Sequence, residues 1–312
     1  MDHLRATVYL DFNQRYQIDW LKSFIDRFFQ QHQPRSFAGR RVLLKPNLIS
    51  SRGPRLACSD WRVIRAAAEW FIDQGAQVLV GDSPAFGTSR SVLRNQRIME
   101  HLHDLHLRVI QCKTPIQKTL SQGRKITVCQ EALDCDLFVN LPRVKAHSQM
   151  YMSLAVKNVF GIVCGMRKAL AHMQNGPDHE LFGALMLDLV ALLPPAIGII
   201  DGIEGMHRTG PLTGELIQLG FVGASDNQLA LDSMTHQLLR LDPVRSPVIK
   251  AARARALAGA FPEQLDYPWG TVQDFSPPPF VAPDFLQPVP FNPFRFAAGS
   301  IKRALGRRHH QA

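Results

Sequence analysis

The sequence predicts an α/β protein: a mostly parallel sheet with helices on both faces, followed by an irregular proline-rich C-terminal arm. Three observations carry this. Short apolar runs bounded by turn residues alternate with longer stretches of helical period through the first half of the chain. The runs are apolar on both faces, as strands of a helix-covered parallel sheet must be. Beyond about residue 243 the composition shifts, and 275–294 carries a proline every few residues, which excludes helix and central strand.

The elements follow in order. Segment 5–12, RATVYLDF, reads as a first strand, and 17–32 has apolar residues at helical spacing and ends before Pro34. RRVLLKPNLIS, 40–50, is a buried strand whose end carries Lys45 and Asn47. The helix over 60–76 takes Ser59 or Asp60 as its cap and Gly75 as its terminator. QVLVGDSP, 77–84, is a strand ending in Asp82 and Ser83, with a helix expected over 89–106 and strands over 108–112, 125–129 and 136–147. The last of these ends in Lys145 and His147. Segment 196–215 reads as a strand running into a glycine-rich loop that includes Gly210 and could wrap a ligand. A strand, a turn at 225–227 and a helix complete 218–239. These features divide the chain into a ligand-binding α/β domain, 1–243, and a C-terminal extension, 244–312, made of the proline-rich arm and a basic tail.

With 312 residues and 46% hydrophobic content, the chain can bury a substantial core. No signal peptide is recognisable, and the longest apolar stretch is interrupted by Asp188 and Pro194–Pro195, so a soluble, cytoplasmic protein is expected. Five cysteines without a CxxC pair fit reduced thiols and argue against an iron–sulfur cluster or a zinc ribbon. The net charge of +10 favours anionic partners. Part of it belongs to the tail IKRALGRRHH, which reads first as a solvated end, with membrane-surface or nucleic-acid binding through it as the alternative. No specific nucleic-acid binding is expected, because aromatic residues do not interleave with the central basic ones.

The polar clusters of the first half all stand just after strands, where open α/β sheets bind ligands. From Asn140 to His172 the chain contains Arg143, Lys145, Lys157, Arg167, Lys168, His147 and His172 but no Asp or Glu. Lysines among apolar neighbours are costly unless an anion pairs with them. The bland alternative, a buried helix with snorkelling lysines, accounts for one such residue better than for five. Lys45, Asn47, Lys145, Asn158 and Lys168 are therefore candidate ligand-binding residues. Ser83, Thr88, Ser89 and Arg90 join them from a strand-end turn before a helix, where hydroxyls and free amides suit a phosphate or carboxylate. His147, His172, Lys157 and Asp82 are the catalytic candidates, with the two histidines also candidate metal ligands. The expected ligand is a small anion. A divalent metal or a phosphorylated organic cofactor fits the same residues, and the cofactor is not identified. An enzyme is favoured over a non-catalytic cofactor or metal carrier.

The segments LLKPNL, VGDSP, LPRVKAH, VKNVFG, KALAHM, DGIEGMHRTGP and ASDNQLALD occur in an order that resembles the bacterial and archaeal uncharacterised-domain family numbered 362, over roughly 40–240. Family members that carry an added iron–sulfur ferredoxin module differ from this chain, which lacks the cysteine spacing. A more distant similarity is to the nickel-pincer lactate racemases. Gly87-Thr88-Ser89-Arg90 resembles their G-T-H-R loop, and His147, Lys157 ten residues on and His172 fifteen further match their spacing. That resemblance implies a cofactor-holding role for Lys157 and a nickel-ligand role for His172. Ser89 stands where the loop histidine would be, which argues against two-base racemisation and leaves a shared scaffold for an anionic cofactor or substrate.

Overall fold

Strand β3, Arg41–Pro46, sends Val42 and Leu44 into one apolar cluster and Leu43 into another. Strand β4, Gln77–Asp82, does the same with Val78 and Val80 against Leu79, and β8, Leu137–Leu141, with Val139 and Leu141 against Phe138. A period of two with apolar residues on both sides requires cover on both faces. The computed structural model supplies it; it describes residues 5–32, 36–84, 87–165, 168 and 178–287. On one face lie α1, Ile18–His32, and α2, Trp61–Asp73, joined by Phe28, Phe29, Trp70 and Phe71. On the other lie α5, His179–Val190, and α7, Pro247–Ala254, which approach so closely that a Cβ on Gly183 would stand 2.4 Å from the carbonyl oxygen of Pro247.

Strand β5, Leu107–Gln111, pairs parallel with β4, β4 with β3, β3 with β8, and β8 with the long β11, Ala196–His207. The sheet is thus the mostly parallel, doubly covered one expected. Strand β12, Glu215–Ser225, runs antiparallel along the far edge of β11, and β2, Tyr9–Phe12, continues beyond it. Beginning at β3, the chain fills the β4–β5 side and then returns to β8 on the other side. The topological switch point therefore lies between β3 and β8, where this architecture opens a crevice at the strand ends.

Five details differ from the sequence expectations. The strand over 136–147 is two strands, β8 and β9, Arg143–His147, separated at Pro142; both pair with the same edge of β11. The helix over 89–106 stops after α3, Ser89–Asn95: Arg97 adopts a positive φ of 61°, and the Gln96 amide turns away to donate to the carbonyls of Ser50 and Gly53. Gly202 and Gly205, expected in a loop, lie within β11, where Gly202 makes room for the Phe221 ring. An unexpected hairpin forms from β6, Pro115–Thr119, and β7, Lys125–Cys129, its loop turned by Gly123 at φ 74°.

The strand over 5–12 is interrupted at Val8: β1, Ala6–Thr7, pairs with β13, Leu265–Asp266, while β2 joins the main sheet. Arm residues 281–287 lie on the domain, since the Gln287 amide donates to the Ser148 carbonyl and the Arg208 amide to that of Val281. All five cysteines are buried and free, and Cys112, Cys129 and Cys164 pack together. No helix among the described residues is long and apolar enough to cross a membrane. The basic tail lies outside the described residues.

Candidate functional site

Lys45 ends β3 and Asp82 ends β4, so two neighbouring parallel strands deliver opposite charges to one point. Lys45 Nζ lies 3.0 Å from Asp82 Oδ1, and both side chains are buried. The Asp82 carboxylate also accepts the Leu48 amide at 2.9 Å and the Ser83 amide at 2.8 Å, which fix it at the strand ends. Gly161 packs directly on this pair: a Cβ there would stand 2.3 Å from Asp82 Oδ1 and 2.4 Å from Lys45 Nζ.

Gly161 follows α4, Ala155–Val159, the short helix that carries Lys157 and Asn158. Neither its length nor its composition holds this helix in place. Asp232, on α6, Gln228–Leu238, accepts the Ala155 and Val156 amides at 2.8 and 3.2 Å and so caps it from outside. Burial pushes the Asp232 carboxyl up to about 8.

A directed chain of amides then crosses the switch point. Lys145 Nζ donates to Asn47 Oδ1 at 2.6 Å, and Asn47 Nδ2 donates to Asn158 Oδ1 at 2.6 Å. Asn158 Nδ2 donates to Asn140 Oδ1 at 2.7 Å, and Asn140 Nδ2 to Gln228 Oε1 at 2.8 Å. Strands β3, β8 and β9 and helices α4 and α6 are tied together by this line.

The charge balance at the crevice is uneven. Lys45 acts electrostatically on each of Lys145, Lys157 and Lys168, and among the described residues Asp82 is the carboxylate that faces Lys45 and Lys168. Lys145 is fully buried and satisfied by neutral acceptors, Asn47 Oδ1 and the Ala57 carbonyl; burial first, and the neighbouring cations after it, bring its amine down to about 7. Burial does the same for Lys157, to about 7, with Lys168 and Lys45 adding to the effect. Lys168 is also lowered, by burial against the opposing pull of Asp82. Nor can residues 85–86 or 166–177 add a carboxylate, since neither stretch contains Asp or Glu.

Arg143 differs from the lysines in having its charge consumed. It is buried, and its guanidinium donates to the Glu204 carboxylate at 2.9 Å, the Tyr16 hydroxyl at 3.0 Å and the Cys58 carbonyl at 3.2 Å. Asp201 stands 3.8 Å away and accepts from the Tyr16 hydroxyl at 2.9 Å; burial raises this carboxyl to about 6. This balanced network borders a cavity of about 320 Å³ lined by Arg55, Asp60, Arg62, Gln96, Arg143 and Glu204.

The other candidate residues divide as follows. His147 shares a face of β9 with Lys145 and Arg143, and its Nδ1 accepts the Gln149 amide at 3.1 Å. Ser83 Oγ accepts the Gly165 amide at 3.2 Å, which ties the β4 end to the segment leading to Lys168. Ser89 turns inward: its hydroxyl donates to the Asp82 carbonyl at 2.8 Å and its amide to Gln111, so it braces the β4 turn. Thr88 caps α3 with Ser91, and Arg90 is exposed. Gly210 packs on the β9 end, where a Cβ would meet the Ala146 carbonyl oxygen at 2.0 Å. His172 and Arg167 lie outside the described residues, and so does any pairing of His172 with His147. Among the described residues no three His, Cys, Asp or Glu side chains are placed to hold a metal ion. Sequence reading missed Asn140, Gln228 and Asp232, although the last two sit in the segment ASDNQLALD.

The lysine shifts predict a pH signature with a definite sign. An amine whose folded value is about 7 rather than 10.5 loses its proton on folding between those limits, so its stability penalty is full below pH 7 and fades as pH rises. Asp232, raised from 3.8 to about 8, and Asp201, raised to about 6, act in the opposite sense below those values, so comparison with Lys157→Met isolates the amine. The variant should unfold above wild type at pH 6, and the gap should close by up to about 1.4 kcal/mol per pH unit from pH 7 upward. Thermal melts of both proteins across pH 6–9 check this; a gap that does not change with pH would contradict it.

A thylakoid-associated protein of Synechocystis sp. is 32% identical over 266 residues, 85% of this chain and 83% of that protein. Among solved structures, a Thermotoga maritima protein superposes with a TM-score of 0.44 at 7% identity, covering 68% of this chain and 56% of that one. The lactate racemase apoprotein from Thermoanaerobacterium thermosaccharolyticum gives 0.43 at 10% identity, covering 73% and 55%. Residues 42–237, which contain the switch point and every lysine of the crevice, match the model described as "Domain of unknown function (DUF362)", and the chain belongs to that family.

Proposed function

We propose that this chain is an enzyme that binds a small carboxylate or phosphate at the β3–β8 switch point and moves a proton on it. One observation carries the reading: four lysines act electrostatically on one another at the strand ends, and among the described residues Asp82 is the carboxylate that faces two of them, Lys45 and Lys168. Burying ammonium groups without counter-charge is costly, and a bound anion offsets that cost. Lys45 and Lys168 flank the position an anion would take, and the Asn47–Asn158 amides limit its orientation. An amine that titrates near neutrality is matched to general acid–base work at pH 7.

Calorimetric titration with malonate and with inorganic phosphate tests this. Binding at pH 8 should be accompanied by proton uptake, seen as a heat that varies with the ionisation enthalpy of the buffer, because the anion returns charge to the lowered amines that hold it. Lys168→Met should weaken binding about tenfold, the loss of one charge-assisted contact. Absence of binding by either anion to the folded wild-type protein would refute the reading.

A further inference from the structure

The four lysines are not equivalent. Lys45 is held by Asp82 and by the Pro46 carbonyl at 3.0 Å, and Lys145 is fully buried between two acceptors. Lys157 is half-buried, and among the described residues it has neither a carboxylate nor a hydrogen-bond acceptor. Its Nζ instead stands 4.8 Å from the centroid of the Phe160 ring and 5.8 Å from that of Phe182. The amines of Lys168 and Lys45 are near enough to act on it electrostatically, and Lys168 faces Asp82.

We propose that the Lys157 amine is a nucleophile that forms an imine with a small carbonyl compound bearing an anionic group, of the 2-oxo acid class. The inference rests on the anion-binding reading above: Lys45 and Lys168 would hold the anionic group and so place the carbonyl carbon beside Lys157. A half-buried amine next to two other cations is the arrangement that keeps a lysine unprotonated and reactive, against the ring faces, which attract its ammonium form, and its value near 7 agrees. In the reaction the amine nitrogen attacks the carbonyl carbon, the nitrogen gives up two hydrogens, and the carbonyl oxygen leaves as water. No redox partner is required. The protonated imine draws electrons from the adjacent carbon, which eases the proton transfer assigned to the site.

Reductive trapping tests this on the full-length protein. Wild type and Lys157→Arg are incubated at pH 7 with pyruvate and cyanoborohydride, and modified lysines are located by peptide mass spectrometry. Acetone serves as a carbonyl without charge and malonate as a charge without a carbonyl. Expected is labelling by pyruvate at Lys157 at least about tenfold above any other lysine, suppressed by malonate and weak with acetone. If malonate and phosphate bind but pyruvate labels wild type no faster than Lys157→Arg, the imine is overturned while the anion site stands. If no anion binds the folded protein, the site reading falls and this inference falls with it.

Discussion

Replacing Asp82 by Asn should lower stability by about 3–5 kcal/mol, the cost of leaving a buried ammonium unpaired. At about 2–4 °C per kcal/mol for a chain of this size, that is a fall in melting temperature of about 10 °C. The reason is local. Asn keeps the shape but has a single acceptor oxygen, so it can accept only one of the Leu48 and Ser83 amides, and Lys45 loses the one carboxylate that stands within ion-pair distance among the described residues. Two further measurements separate this account from generic core damage. The double variant Asp82→Asn/Lys45→Met should recover much of the loss, because removing the ammonium leaves no uncompensated charge beside the amide. Phosphate should also bind the folded Asp82→Asn protein several-fold more tightly than wild type, since the internal anion that competes with the ligand is gone. A double variant as unstable as the single one would show that the carboxylate acts through something other than Lys45.

Gly161→Ala should cost about 3 kcal/mol and abolish anion binding. The added methyl would lie 2.3 Å from both Asp82 Oδ1 and Lys45 Cε. Neither neighbour can retreat freely, because two backbone amides hold the carboxylate and the Pro46 carbonyl holds the ammonium. Gly165 provides the control. It has nothing within 4 Å of a Cβ, but its φ is 53°, so Gly165→Ala should cost only the left-handed backbone penalty of about 1–2 kcal/mol. Melting curves and phosphate titrations of the two variants check the contrast; equal effects would mean that the Lys45–Asp82 pair does not occupy the space the structure gives it.

Much of the frame was legible in the sequence. The two-sided apolar runs at 42–44, 78–80 and 137–141 announce covered parallel strands, because strand periodicity and burial leave the same trace in any chain. Lys45, Asp82 and Lys145 were legible as candidates for a related reason: a charged side chain at the end of an apolar strand has few structural uses. Breaks such as the one at Arg97, and the β6–β7 hairpin, were not legible. They depend on what the Gln96 amide finds 43 residues upstream and on a two-strand ribbon whose pattern is half-exposed.

The sequence by itself determined the fold class, the acid-free run from 140 to 172 and the positions of the cations, since these follow from local periodicity and composition. Only the tertiary structure decided how the charges are used. It spends Arg143 on Asp201 and Glu204, pairs Lys45 with Asp82, and leaves Lys157 against two aromatic rings. It also turns Ser89 inward as a brace and brings Asp232 across from α6 to cap α4. Which charge meets which is set by long-range strand order and helix packing, and Coulomb energy changes over a few ångströms that no spacing along the chain encodes.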